Sequence, residues 1–380
     1  MAKATKPKRR RAMTGAGSVY PTAEGRYRGA LVLKDPLTGK RSRRVVSART
    51  EQEAQAKLDE LRAVTKPTTT MQVGKWLAYW LPTTRLRVAP STYRGYASVA
   101  KAITAQIGTI GLDRLTATDV ERMTTAMQSD GKSARTAAMA RKVLRVALRQ
   151  ALRDRLVSVN VAAVAMAPRV PRFVPRPLTA DEARALIAGT LEDPDGPLWA
   201  LLVTTGLRLG EAAGLSWADV REDRLRVARS LSKGWDGRPE LGPPKSERSR
   251  RFVPLGRAAR EALKRQRARQ DELRATAGTA WDNPDDLVFT DAVGHPIRTR
   301  DAAGRLHEAT DRLKLPRCRV HDLRHSAASL MVAQGVPLTT VSRVLGHSTI
   351  AITFDTYSTL TEDVEQAAAD ALDRALGGTK

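Results

Sequence analysis

The side chains able to do chemistry crowd into the second half of the chain. Three of its five histidines, His321, His325 and His347, fall in one short stretch with Arg324. In His321-Asp322-Leu323-Arg324-His325-Ser326, His321 and Arg324 are three apart and share a face if the segment is helical. A forked cation beside an imidazole suits the two non-bridging oxygens of a phosphate. The spacing of four between His321 and His325 could instead hold a metal. Against that, no Glu follows His321 as a metallohydrolase motif requires, and no cysteine or carboxylate cluster completes a set of ligands. Upstream, in Thr204-Thr205-Gly206-Leu207-Arg208-Leu209-Gly210-Glu211, Gly206 breaks one helix and Arg208 opens the next, with Glu211 one turn on. Helix starts suit anions, although an Arg–Glu pair there also serves structure alone. Tyr357 follows His347 by ten positions and is the only tyrosine after Tyr96. A phenolic nucleophile in this region can be no other residue; a ring used for packing is the alternative. Between these pieces runs the loop Pro243 to Arg251, with one lysine, Lys245, among arginines. Lysine can release a proton near neutral pH when its pKa is lowered, whereas arginine cannot. Contact with a nucleic-acid backbone is the other use of Lys245, and Lys233 is its rival.

The elements that must position these groups read as mostly helical. Hydrophobic residues make up 42% of the 380, enough for a real core, and aromatics only 4%, so Leu, Val and Ala must fill it. Thr179 with Glu182 forms a capping box that opens the block carrying the chemistry. Two β-like stretches, Leu225 to Arg229 and Arg251 to Leu255, flank the Lys245 loop. A linker with four prolines, Pro168 to Pro177, precedes this block, and such a segment is extended and exposed. Before it lies a helical block to about Ala165. There Trp76, Leu77 and Trp80 share a face, Pro90-Ser91-Thr92 and Leu115 to Asp119 start helices, and a long helix from Ser133 to Asp154 turns Val143, Leu144, Ala147 and Leu148 inward. Arg141, Lys142 and Arg145 decorate that helix. Lys66-Pro67-Thr68-Thr69-Thr70 reads as another linker. Tyr20 to Arg49 reads as strands with a turn at Asp35 to Gly39, followed by a helix capped by Thr50 and Glu53. An arm with Lys3, Lys6, Lys8, Arg9, Arg10 and Arg11 precedes it, of a composition that orders only on a polyanion.

The formal net charge is +25, and a surface that basic seeks nucleic acid. A membrane is the other polyanion, but no run of about 18 apolar residues spans one and no signal-peptide core follows the basic start. The single cysteine, Cys318, leaves no intrachain disulfide, which fits a reducing cytoplasm.

The third block resembles the catalytic domain of the tyrosine recombinases, the phage-integrase family. The matching pieces are Gly206 to Glu211, Lys245 before a strand, His321-x-x-Arg324, Leu345-Gly346-His347 and Tyr357, in the family's order. The helical block resembles the family's core-site-binding domain, and the N-terminal sheet the arm-binding domain of phage integrases. The resemblance implies a multidomain chain, mainly α with small β-sheets. Residues 1–66 form a basic arm plus an arm-type DNA-binding domain, 70–165 a helical core-site domain, and 175–380 an α+β catalytic domain with a tail helix over Glu362 to Leu376. It further implies site-specific recombination, as by the integrase of a phage or mobile element. Tyr357 is the nucleophile that leaves a 3′-phosphotyrosyl bond, Arg208 and Arg324 are the phosphate clamp, and His321 is the proton acceptor or a further ligand. His347 is a hydrogen-bond donor, Lys245 the acid for the leaving 5′-oxygen, and Glu211 a support. No metal, cofactor or ATP is implied, and no phosphate-binding Gly-x-x-x-x-Gly-Lys motif is present. The expected partners are double-stranded attachment sites touched by Arg26, Arg28, Arg41, Arg43, Arg141, Lys142 and Arg145, three further copies in a tetramer, and by analogy a directionality factor or host DNA-bending protein. The location implied is the bacterial cytoplasm. A chromosome-dimer resolvase, a type IB topoisomerase-like enzyme and a non-catalytic DNA-binding relative are the alternatives.

Overall fold

Alternation and capping account for most of the elements in the computed structural model, which describes residues 18–22, 24–34, 41–64, 71–171, 176–244, 249–346 and 373. The chain divides into two compact units, 1–172 and 173–380. The basic arm, the linker at 66–70, Lys245, His347, Tyr357 and, except for Asp373, the tail helix expected at 362–376 lie outside the described residues.

In the first unit, strands β1 (Ser18–Pro21), β2 (Tyr27–Lys34) and β3 (Arg41–Ala48) form an antiparallel sheet in sequence order. Helix α1 (Glu51–Val64) covers one face and buries Ala54 and Leu58 against it. Thr50 and Glu53 cap it: Thr50 Oγ1 accepts from Glu53 N, and Glu53 Oε2 accepts from the amide of Arg49, one residue before Thr50. Gly29 is small of necessity, since a Cβ there would lie 2.9 Å from Val46 and 3.2 Å from the Ala54 carbonyl. The register pairs Arg28 with Ser47, Ala30 with Val45 and Val32 with Arg43. Because side chains alternate, Arg28 and Arg43 therefore stand on the face away from α1.

Five helices follow: α2 (Val73–Thr83), α3 (Pro90–Ile107), α4 (Ala117–Ser129), α5 (Ala134–Arg153) and the single turn α6 (Val161–Val164). Trp76, Leu77 and Trp80 are buried, and Trp76 Nε1 donates to the Ala147 carbonyl at 3.2 Å. Along α5, Ala137, Ala140, Val143, Leu144, Ala147, Leu148 and Ala151 form one buried stripe of helical period. Burial of each Leu in that stripe contributes roughly 1.5–3 kcal/mol.

The second unit begins with α7 (Ala180–Gly189), whose Thr179–Glu182 capping box is present with both bonds made. Arg176 forks onto Glu182, and the Leu178 amide donates to Ser326 Oγ at 2.8 Å. Helix α8 (Gly196–Thr205) is apolar on all sides and is buried as such an element must be. It ends at Gly206, in the left-handed region at φ 65°, and the short α9 (Leu209–Ala213) follows. Strands β4 (Arg224–Val227) and β7 (Arg251–Pro254) pair antiparallel where two β-like stretches were expected. Between them stands a hairpin that the sequence reading missed, β5 (Ser230–Lys233) with β6 (Pro239–Gly242). Unlike β4, neither of its strands alternates buried with exposed residues. Helices α10 (Arg257–Ala277), α11 (Ala302–Arg312), α12 (Val320–Ala333) and α13 (Leu338–Leu345) follow among the described residues, with α10 and α12 both packed on α8. Among the described residues, no helix is long and apolar enough to cross a membrane.

Candidate active site

Burial of α8 fixes where its last turn ends, and the left-handed Gly206 turns the chain so that Arg208 precedes α9. A Cβ on Gly206 would lie 2.4 Å from Leu345 Cδ2, so α13 packs directly on this turn. The Gly206 carbonyl accepts from Arg324 Nη1 at 2.7 Å. Arg324 lies on α12 and is 3% exposed. Arg208 Nη2 in turn reaches the carbonyl of Gly346, the left-handed cap of α13, at 3.4 Å. The motif at 206–211, the helix bearing Arg324 and the turn just before His347 thus interlock through two guanidinium groups.

Glu211 fastens this arrangement from below. Its Oε2 accepts the Arg208 amide at 3.1 Å, which caps α9, and its Oε1 takes Arg208 Nη1 at 2.7 Å. A second guanidinium, Arg251 at the start of β7, pairs with both oxygens, at 3.3 and 3.0 Å. Burial pushes the Glu211 carboxyl up. The charge and hydrogen bonds of Arg251, followed by those of Arg208, outweigh that push and hold it below the usual carboxylate range.

His321 stands in the first turn of α12 with its ring edge-to-face with His325, centroids 5.0 Å apart. Desolvation first, then the charges of His325, Arg324 and Arg208, push His321 down to about 4 against the weaker pull of Asp322. The ring still meets solvent. His321 and Arg324 are three positions apart on α12, so their side chains leave one face of it. His325 is likewise held below its ordinary value, by burial first and then by Arg319 and Arg324, in opposition to Asp322. Among the described residues no group of three metal-ligating side chains occurs. Asp322 caps α12 by accepting from the Arg319 amide at 2.9 Å and from its guanidinium at 2.7 and 3.0 Å. Cys318, just upstream, is buried, and its thiol is pushed up to about 11 by desolvation first and then by the charges of Asp322 and Glu182.

Of the expected site residues, the structure brings together Arg208, Glu211, His321 and Arg324; Lys245, His347 and Tyr357 fall outside the described residues. Arg251 was missed as a site residue, since nothing local in sequence marks it. Among the expected DNA contacts, Arg26, Arg28 and Arg43 are exposed, with Arg43 donating to the Tyr20 hydroxyl at 2.7 Å. Arg41 ends the β2–β3 register opposite Lys34. Lys142 is exposed on α5. Arg141 has a different task. Its guanidinium donates to the carbonyls of Ala165 at 2.8 Å and Ala163 at 3.2 Å, which ties α6 to α5. Arg145 is half-buried, and its backbone carbonyl accepts from Asn160 Nδ2 at 2.8 Å.

Residues 176–363 match the model of the phage integrase family. The tyrosine recombinase XerC of Pseudomonas aeruginosa (strain LESB58) is 30% identical, over 70% of this chain and 84% of its own length. An integrase of Saccharopolyspora erythraea is 24% identical over 98% of this chain and 99% of its own. Among solved structures, the Tn1549 transposon integrase (residues 82–397) in complex with transposon right-end DNA superposes with a TM-score of 0.69. That alignment covers 80% of this chain and 99% of that one at 19% identity.

Proposed function

The chain belongs to the phage integrase family of tyrosine recombinases, site-specific enzymes that cut and rejoin DNA, and from that premise we propose that it is the integrase of a phage or mobile element, acting through a 3′-phosphotyrosyl intermediate. The observation that carries the chemistry is the meeting of Arg208, Arg324 and the turn before His347 through the Gly206 and Gly346 carbonyls, with His321 three positions before Arg324 on the same helix.

In the proposed reaction Arg208 and Arg324 hold the non-bridging oxygens of the scissile phosphate and stabilise the charge of the five-coordinate state. Tyr357 Oη attacks phosphorus and its proton passes to His321. A free phenol has a pKa of about 10, so its ionisation at pH 7 costs about 4 kcal/mol. His321 is neutral and open to that proton, and the negative charge of a bound scissile phosphate raises its basicity above the DNA-free value. The bond from phosphorus to the 5′-oxygen breaks as Lys245 protonates the leaving oxygen, and His347 donates a hydrogen bond to the phosphate. The reverse steps, with a 5′-hydroxyl as nucleophile, reseal the strand. The phosphotyrosyl ester retains the bond energy, so ligation needs no nucleotide.

At the level of the chain, residues 1–66 serve arm-type sites through Arg28 and Arg43 on the open sheet face, with Arg26 and Arg41 as further contacts. Residues 70–165 serve core sites, with Lys142 and Arg145 as candidate contacts, and residues 175–380 cut and rejoin. The alignment with an integrase over nearly its whole length favours integration. The XerC relative favours the second reading, a chromosome-dimer resolvase. The solved relative is a complex with transposon-end DNA, and we extend DNA partnership to this chain. We propose assembly as a tetramer on two duplexes, with a directionality factor or host DNA-bending protein as accessory partner, and with the tail helix docking on a neighbouring copy. The test is a nicked duplex that traps the intermediate, carrying the sequence the full chain selects from a random DNA library. The expected result is a covalent protein–DNA adduct that is absent in Tyr357→Phe. A wild-type protein that gives only a salt-sensitive complex is a binding module, and the proposal fails.

A further inference from the structure

Two guanidinium groups meet on one buried carboxylate, and they differ in what they can reach. The Glu211 side chain is 3% exposed, that of Arg251 6%, and that of Arg208 34%. All three guanidinium nitrogens of Arg251 are engaged within the fold. Its Nη1 and Nη2 fork onto Glu211, Nη1 also donates to the Ser249 carbonyl at 3.0 Å, and Nε donates to the Val344 carbonyl. It therefore cannot turn toward DNA, whereas Arg208 can.

The charges decide what this does. Arg208 with Glu211 alone is a neutral pair, and a phosphate anion would have to compete with a desolvated carboxylate for the same guanidinium. A buried carboxylate left without a cation is costly, so in that two-residue arrangement Arg208 would stay on Glu211. With Arg251 present the cluster carries one net positive charge, and Glu211 keeps a forked partner when Arg208 turns outward. We propose that Arg251 is a positioning residue of the strand-cleavage site, the buried counter-cation that neutralises Glu211 and releases the charge of Arg208 for the scissile phosphate. The same side chain joins β7 to the last turn of α13, whose cap carbonyl receives Arg208. This inference rests on the reading of Arg208 as a phosphate ligand.

The experiment uses the full chain and the nicked duplex described above, made with either a normal phosphate or an uncharged methylphosphonate at the scissile position. Single-turnover adduct formation is read with DNA affinity and melting temperature for wild type, Arg251→Met and Arg251→Met/Glu211→Gln. Loss of a whole oxyanion contact costs ~10²–10³ in rate, so Arg251→Met is expected to slow cleavage of the phosphate at least ~10-fold, with DNA affinity held. Its deficit should shrink several-fold on the methylphosphonate, where there is less charge to balance. A residue that only supports the fold would lower both substrates alike, and equal deficits overturn the proposal, as does a wild-type rate in Arg251→Met. Should Arg251→Met fail to fold, the double variant decides. It leaves no unpaired buried charge and keeps one net positive charge, so it should retain the wild-type ratio of the two substrates; a shifted ratio overturns the proposal. Absence of any adduct in the wild type, by contrast, is a failure of the recombinase reading.

Discussion

Single side chains in this site have their protonation equilibria shifted by burial and by neighbouring charges. His321 carries the sharpest case. Its pKa in the folded chain is pushed down to about 4, against about 6.5 in an unfolded chain. Between those values the unfolded state binds more protons, so acidification from pH 6.5 toward 4 removes stability, and above pH 6.5 the residue contributes no pH dependence. Melting temperatures of the DNA-free protein across pH 4–7 should therefore fall with acid, and His321→Asn should flatten that slope; equal slopes would refute a neutral His321. Arg324 makes a different prediction. Because it is buried and reaches the backbone of Gly206, Arg324→Ala should leave DNA affinity nearly unchanged and slow adduct formation at least ~10²-fold. Both residues were legible from type and spacing alone, since a helix puts positions three apart on one face. Arg251 was not, because its partners Glu211 and Val344 lie 40 and 93 positions away. Arg141 misleads for the same reason: sequence displays a charge on a helix surface, while the carbonyls of Ala163 and Ala165 that engage it arrive through the fold.

Elements were readable where a local rule stood behind them. Reciprocal caps at Thr116 and Thr179 start α4 and α7 from side chains three residues apart, and Thr50 caps α1 through the Glu53 amide. The α5 stripe follows the helical period over 20 residues. The β5–β6 hairpin escaped because neither strand alternates buried with exposed residues as β4 does, so that only the pairing defines it. The junction between α8 and α9 shows how one turn serves several elements. Gly206 adopts a left-handed backbone, lies against Leu345 and presents its carbonyl to Arg324. Gly206→Ala combines the left-handed penalty of about 1–2 kcal/mol with a collision that must displace α13. We expect a loss of about 2–4 kcal/mol in denaturant unfolding together with slower cleavage. Unfolding unchanged within 0.5 kcal/mol or so would show that the turn relaxes freely.

For the whole molecule, the excess of 65 basic over 40 acidic residues sets how binding responds to salt. Each phosphate neutralised on duplex DNA adds about 0.9 to the slope of log affinity against log salt. If the open sheet face meets DNA, Arg43→Ala should reduce that slope by about one contact on arm-type DNA. Arg141→Ala should leave the slope unchanged and instead lower the melting temperature, because it unties α6 from α5. The reverse pattern would exchange the roles given to these two arginines. Cys318 bears on how such assemblies can be watched. The only sulfhydryl of the chain is sealed in the interior and kept protonated at neutral pH, so it is chemically silent toward maleimides while the protein stays folded. A cysteine installed at any exposed position then becomes a unique attachment point for a fluorophore, and subunit exchange on DNA can be followed by energy transfer without first removing a native thiol.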